Sequence, residues 1–223
     1  MKPRICVAVP AYTEMVTLNQ VRSLRDVDLI EIRFDYRTEK ISPEKVRAAT
    51  DKPLIATNRV AHQGGRGDVT EETRIKLLLD ACRAGFEYVD VELEAPSVKE
   101  AIRDAHAHGA KCIVSHHDFY ATPTLEELHG FHARAVSVGA DLVKLIGTAN
   151  GYGDNLVYLK YLESEPGNVS FGMGRHGTPS RVMSALLGGA YTYSSASAGK
   201  ESAPGQLTLQ EVRCIFRAMG APT

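Results

Sequence analysis

DLVKLIGTAN, residues Asp141 to Asn150, sets an ammonium group inside an apolar strand. Leu142, Val143, Leu145 and Ile146 form a short apolar run of the kind buried on both faces of a parallel sheet. Lys144 stands in the middle of it. Two readings compete. Either the side chain reaches solvent or pairs with an acid, or its charge is made unstable there. A desolvated lysine gives up its proton more readily, and a neutral lysine is a nucleophile.

The same kind of run recurs along the chain, each time followed by a stretch with helical spacing. Strands are expected at Ile5–Val9, Leu29–Phe34, Leu54–Thr57, Tyr88–Leu93, Lys111–Ser115, Asp141–Ile146, Val169–Met173 and Tyr191–Ser194. Between them, Glu71–Gly85 carries apolar residues at Ile75, Leu78, Leu79 and Cys82, the i, i+3, i+4, i+7 spacing of a helix that ends at a glycine. Ser97–Gly109 opens with serine and has Glu100 three residues later, a capping-box signature. Thr208–Gly220 repeats that logic with Glu211, and Thr122–Ala140 begins with Pro123 near its start. Strands alternating with helices imply parallel pairing through right-handed crossovers, and eight such units imply an α/β fold, a single closed (β/α)8 TIM barrel over residues 1–223. AVPAYTE (Ala8–Glu14), after the first strand, is not the glycine-rich turn of a dinucleotide-binding sheet.

Composition narrows the function classes. A 223-residue chain with 43% hydrophobic residues can build its own core. A net charge of −1 gives no electrostatic case for nucleic acid or an anionic membrane. No apolar run approaches a membrane span, and the opening run of MKPRICVAVP is too short for a signal peptide, so a cytoplasmic protein is expected. Cys6, Cys82, Cys112 and Cys214 lie far apart in apolar contexts and are expected to be buried free thiols. The RGD triplet within GGRGD (Gly64–Asp68) is read as coincidence.

In such a barrel, chemistry belongs at the C-terminal ends of the strands. Polar residues there are Glu31 and Arg33 on strand two, Arg59 after strand three, Glu92 on strand four, and His116, His117 and Asp118 just beyond strand five. Lys144 follows on strand six, then Arg175 and His176 after strand seven, and Arg181 near the start of the next helix. Glu31 and Arg33, two apart on a strand, point the same way and equally suit a plain ion pair. The stretch Ser195–Gln206 is small and polar enough for a lid. A metal centre fits poorly. His106 and His108 do not share a helix face, and His129 and His132 can share one but have no evident acidic partner. Lys144 with His117 supplies amine catalysis. An amine condenses with a ketone, the iminium acidifies the neighbouring carbon, and a histidine takes that proton and delivers it to a leaving hydroxyl. Nearby arginines would bind an anionic substrate and repel the lysine's charge.

EIRFD (Glu31–Asp35), SHHDF (Ser115–Phe119), the strand-six Lys144, GMGRHGTPSR (Gly172–Arg181) and SAPGQ (Ser202–Gln206), in that order, resemble the motifs of the type I 3-dehydroquinate dehydratase family over nearly the whole chain. The resemblance implies dehydration of 3-dehydroquinate in the shikimate pathway without metal or cofactor. It implies Lys144 as the Schiff-base residue and His117 as the general acid–base. Glu31, Arg33 and Arg59 would contact the polar edge of the ring, Arg181 would clamp the carboxylate, and Ser202 and Gln206 would close over the substrate. Phe119, Phe171, Met173 and Tyr193 would form apolar walls. The resemblance also implies a homodimer. One departure stands out: where relatives carry an acid before Gly-Gly, this chain has Gln63. Its oxygen is expected to accept from the His117 ring, unless Glu31 takes that role. Ala8, where some relatives have serine, and a slightly longer final loop are smaller departures. A Schiff-base aldolase with a sugar phosphate on GRHGTPS (Gly174–Ser180) is the rival enzyme. A non-catalytic anion-binding barrel, with Lys144 merely paired to Glu31, is the rival of another class.

Overall fold

The computed structural model describes residues 2–66 and 69–222; Gly67 and Asp68 of the RGD triplet lie outside the described residues. Eight strands carry the sheet: β1 (Ile5–Pro10), β2 (Leu29–Arg33), β3 (Leu54–Thr57), β4 (Tyr88–Glu92), β5 (Lys111–Asp118), β6 (Leu142–Thr148), β7 (Val169–Met173) and β8 (Thr192–Ser195). Each is followed by a helix: α1 (Glu14–Ser23), α2 (Pro43–Ala48), α3 (Glu71–Arg83), α4 (Val98–Ala107), α5 (Leu125–Ser137), α6 (Asn155–Ser164), α7 (Thr178–Ser184) and α8 (Leu209–Ala218). Strand order runs from β7 in sequence down to β1 and then to β8, with every ladder parallel. This is the expected (β/α)8 barrel with one modification. Among the described residues no ladder joins β7 to β8. The seam is crossed by loop contacts, Gly167 N–H to the Gly188 carbonyl at 2.7 Å and Ala190 N–H to the Asn168 carbonyl at 2.8 Å.

Two apolar layers hold the barrel. Outward-facing strand residues such as Ile30, Ile32, Val89, Val91, Val143 and Leu145 pack beneath Leu78, Ile102 and Leu162 of the helices. The interior is floored by Cys6, Leu29, Ile55, Ile113, Leu142, Val169 and Tyr191. Apolar residues on both faces explain why the strands read as continuous apolar runs rather than alternating ones. No helix among the described residues is long and apolar enough to cross a membrane.

Local signals worked where the side chain was free to cap. Thr208 accepts from the Glu211 N–H at 3.2 Å, and Glu211 accepts from the Thr208 N–H at 2.8 Å, as expected. The box at Ser97 does not form: its hydroxyl donates to Glu71 at 2.8 Å, a tertiary contact that outcompetes the helix end. Helix α5 starts later than the sequence suggested, at Leu125, with a capping box of Thr124 and Glu127. Cys214 is exposed, correcting the expectation that all four thiols are buried. Removing the α8 cap isolates its contribution: Thr208→Ala is expected to lower stability by about 1 kcal/mol, read as a shifted denaturant midpoint with an unchanged slope.

Candidate active site

Lys144 answers to three partners, each from another even-numbered strand. Its Nζ lies 3.0 Å from Asp90 Oδ2 on β4, 3.3 Å from Glu31 Oε1 on β2 and 3.0 Å from the Tyr193 hydroxyl on β8. Alternate strands of a (β/α)8 barrel contribute four side chains to each interior layer, ordinarily branched apolar ones. Here one layer is ionic. Tyr193 also donates to Glu31 at 3.1 Å, and Thr57 donates to Glu31 at 2.9 Å.

The charges continue outward as a chain. Asp90 accepts from Arg59 at 2.7 Å and from Ser115 at 2.6 Å. Arg59 donates to Glu92 at 3.1 Å, and Glu92 in turn pairs with Arg74 of α3. Burial alone would raise the Asp90 carboxyl, but Arg59 and then Lys144 outweigh it and hold it far below the usual carboxylate range. Arg33, expected beside Glu31, instead makes two 2.8 Å bonds to Asp35. The sequence reading placed arginines against the lysine. The structure places carboxylates and a phenol there, and the arginines face those acids.

Above this layer a cavity is lined by Glu31, Arg33, Arg59, His117, Lys144 and Arg181, with Ser202, Ala203 and Gln206 over it. Phe119, Phe171, Met173 and Tyr193 form its apolar walls, as expected. His117 lies within β5, which runs on to Asp118, rather than in the loop beyond it. Its Nδ1 is buried without a hydrogen bond to any of the described residues. Burial, then the charges of Arg59 and Lys144, push the imidazole well below its ordinary pKa, so the resting ring is neutral.

Arg181 is buried over the Phe171 ring, 4.4 Å from its centroid. The guanidinium's only hydrogen bond among the described residues is a long one, 3.5 Å, to the Pro204 carbonyl, and its Nε has none. Burial lowers its pKa to about 10, which leaves it charged at neutral pH. A buried cation with unused donors is a binding site for an anion. The last loop closes on the rim through main-chain contacts. Gly174 N–H donates to the Pro204 carbonyl at 3.1 Å, and Gly205, at φ +72°, packs so tightly that a Cβ there would lie 2.3 Å from the Gly174 oxygen.

Comparison with known proteins decides the family. The sequence pattern described as Type I 3-dehydroquinase matches residues 5–222. The chain belongs to the type I 3-dehydroquinase family. Membership makes it an enzyme, a hydro-lyase. A 3-dehydroquinate dehydratase of Desulfotalea psychrophila is 37% identical over 222 residues, covering 96% of each chain. One from Dehalococcoides mccartyi is 32% identical over 219 residues, covering 97% of this chain and 96% of its own. The crystal structure of the type I enzyme from Clostridium difficile, with covalently modified comenic acid, superposes with a TM-score of 0.88 at 27% identity, covering 98% of this chain and 92% of that one.

In this type I 3-dehydroquinase, all eight residues expected at the site, Glu31, Arg33, Arg59, His117, Lys144, Arg181, Ser202 and Gln206, line one cavity. Glu92 stands one shell behind, and Arg175 is exposed, while His176 packs on Tyr152 at 5.1 Å. Gln63 does not accept from the His117 ring. Its Oε1 accepts from the His117 main-chain N–H at 3.1 Å. Nor does Glu31 hydrogen-bond His117; it is committed to Lys144, Thr57 and Tyr193. His129 and His132 do have an acidic neighbour, Glu165, at 3.9 and 3.3 Å, correcting the expectation of none. Asp90 was missed. It sits two residues before Glu92 on the same strand face, and that period-two signal could have found it.

The depressed pKa of His117 sets the sign of a pH effect. The unfolded imidazole, near pKa 6.5, binds a proton that the folded one refuses. Stability is therefore full above about pH 6.5 and falls as pH drops below it; Asp90 adds its own loss only below its unfolded value of about 3.9. The denaturant midpoint is expected to report about 1 kcal/mol less stability at pH 5.5 than at pH 7.5 from this group. His117→Asn is expected to remove that slope.

Proposed function

We propose that the chain, acting through residues 1–223 as one catalytic barrel, dehydrates 3-dehydroquinate to 3-dehydroshikimate through a Schiff base on Lys144. The observation that carries this reading is that Lys144, the neutral His117 and the unsatisfied Arg181 face one cavity. The family membership and the names of the relatives supply the substrate.

Arg181 holds the substrate carboxylate, and Arg33 and Arg59 meet the ring hydroxyls. The Lys144 ammonium gives a proton to neutral His117, and the freed amine adds to the C3 carbonyl. His117 returns the proton to the carbinolamine hydroxyl, which leaves as water to give an iminium. The iminium carries the same single positive charge as the resting ammonium, so Asp90 and Glu31 stabilise both states. Neutral His117 takes the C2 proton, the electrons of that C–H bond form the new C1–C2 double bond, and His117 returns the proton to the departing C1 hydroxyl as water. Water then hydrolyses the iminium and frees the amine. The contact of Lys144 with Glu31 is also what an anion-binding barrel would need, so the chemistry must be tested on the amine itself.

Borohydride added to the protein turning over 3-dehydroquinate is expected to fix a reduced adduct on the Lys144 peptide, seen by mass spectrometry. Lys144→Ala is expected to yield no adduct and no enone absorbance; normal turnover in that variant would rule the mechanism out. His117→Ala is expected to slow turnover by roughly 10²–10⁴-fold while the trapped adduct accumulates. Separately, Arg181→Lys is expected to raise KM strongly despite keeping the charge, because a point ammonium does not replace a planar fork.

A further inference from the structure

From Gln63 in the cavity wall, three side chains lead outward as a second network with its own ionisable groups. Gln63 is buried and closes a short 3-10 turn (Ala61–Gln63) that ends at Gly64, φ +83°. Its Oε1 accepts from the His117 N–H at 3.1 Å, while its Nε2 donates to Glu94 Oε2 at 3.1 Å. The other oxygen of Glu94 takes His116 Nδ1 at 3.0 Å, and His116 stacks on Phe131 with ring centroids 4.1 Å apart. The Arg134 guanidinium stands 3.8 Å from the same oxygen.

The backbone at His117 depends on this network. The β4–β5 ladder stops at Glu92 opposite Ser115, so residues 116–118 continue beside β6 alone. On the side where β4 has ended, the His117 N–H is met by a side chain. An amide can present either its oxygen or its NH₂ to that N–H, and only the oxygen can bond it. An ionised carboxylate accepts only. Glu94 therefore decides the matter: it draws the NH₂ of Gln63 outward and leaves the oxygen to face His117. The Glu94 carboxyl is kept ionised in this setting. Burial raises its pKa, and the bonds from His116 and Gln63 more than reverse that.

We infer that Glu94 is a positioning residue for His117, acting through the orientation of the Gln63 amide. This rests on the proposed acid–base role of His117. The same geometry makes the charges at positions 63 and 94 interdependent. A carboxylate at 63 can receive the His117 N–H, but it would face the Glu94 carboxylate across a hydrogen-bond distance.

The test is a set of variants assayed for kcat, KM and the ¹⁵N-resolved amide resonance of His117. Glu94→Ala is expected to lower kcat by roughly 10- to 100-fold, the scale of a misplaced catalytic group. KM should stay within about twofold and the His117 amide resonance should move. Glu94→Gln, which still offers an acceptor, should recover most of that loss. Gln63→Glu should lose activity alone and regain it in the double variant Gln63→Glu with Glu94→Gln. Wild-type kcat in Glu94→Ala while His117→Ala is inactive would overturn the inference. So would equal losses in Gln63→Glu with and without Glu94→Gln. Wild-type kcat in His117→Ala itself would instead overturn the catalytic reading on which the inference rests.

Discussion

The ammonium of Lys144 in the middle of the barrel governs much of what surrounds it. A lone buried charge costs several kcal/mol, and an interior of branched apolar side chains offers nothing to offset it. The solution extends across the sheet: Glu31 and Asp90 face Lys144, Arg59 faces Asp90, Glu92 faces Arg59, and Arg74 faces Glu92. Three cations and three anions alternate, and their formal charges cancel. Buried ion pairs of this kind contribute little net stability compared with apolar packing. Their value lies in fixing geometry. Behind burial, Arg59 and Lys144 also depress the basicity of His117, so the same charges that settle the lysine keep the neighbouring imidazole neutral.

The architecture was readable because it rests on two signals that act locally. Doubly buried strands read as apolar runs, and helices carry their period and their caps. The limits came where tertiary contacts overrode local preference. Ser97 had the right spacing for a cap but is engaged by Glu71. That no β7–β8 ladder forms among the described residues has no local signature, since nothing within Val169–Met173 or Thr192–Ser195 forbids pairing.

At the site, side-chain direction along the strands and the barrel's C-terminal rim gathered Glu31, Arg33, Arg59, His117, Lys144 and Arg181 to one cavity, and the family resemblance added Ser202 and Gln206. Which of them pair was not. Glu31 and Arg33 share a face, yet each found a better partner: Lys144 across the barrel for one, Asp35 in a bidentate grip for the other. Asp90 escaped notice for a related reason. It is flanked by Val89 and Val91; the face it shares with Glu92 was readable, but its partners appear only when the fold brings Arg59, beyond β3, Ser115 of β5 and Lys144 of β6 against it.

The last loop closes largely through main-chain atoms, with the Pro204 carbonyl meeting Gly174 and Gly205 pressed against the Gly174 oxygen. A latch of peptide groups is nearly indifferent to side-chain identity. Neighbouring positions such as Ala203 can therefore drift under selection for substrate fit without loosening the closure. The burden of invariance falls on the residue with no side chain at all. Gly205 is where variation in this loop should be least tolerated, although it performs no chemistry.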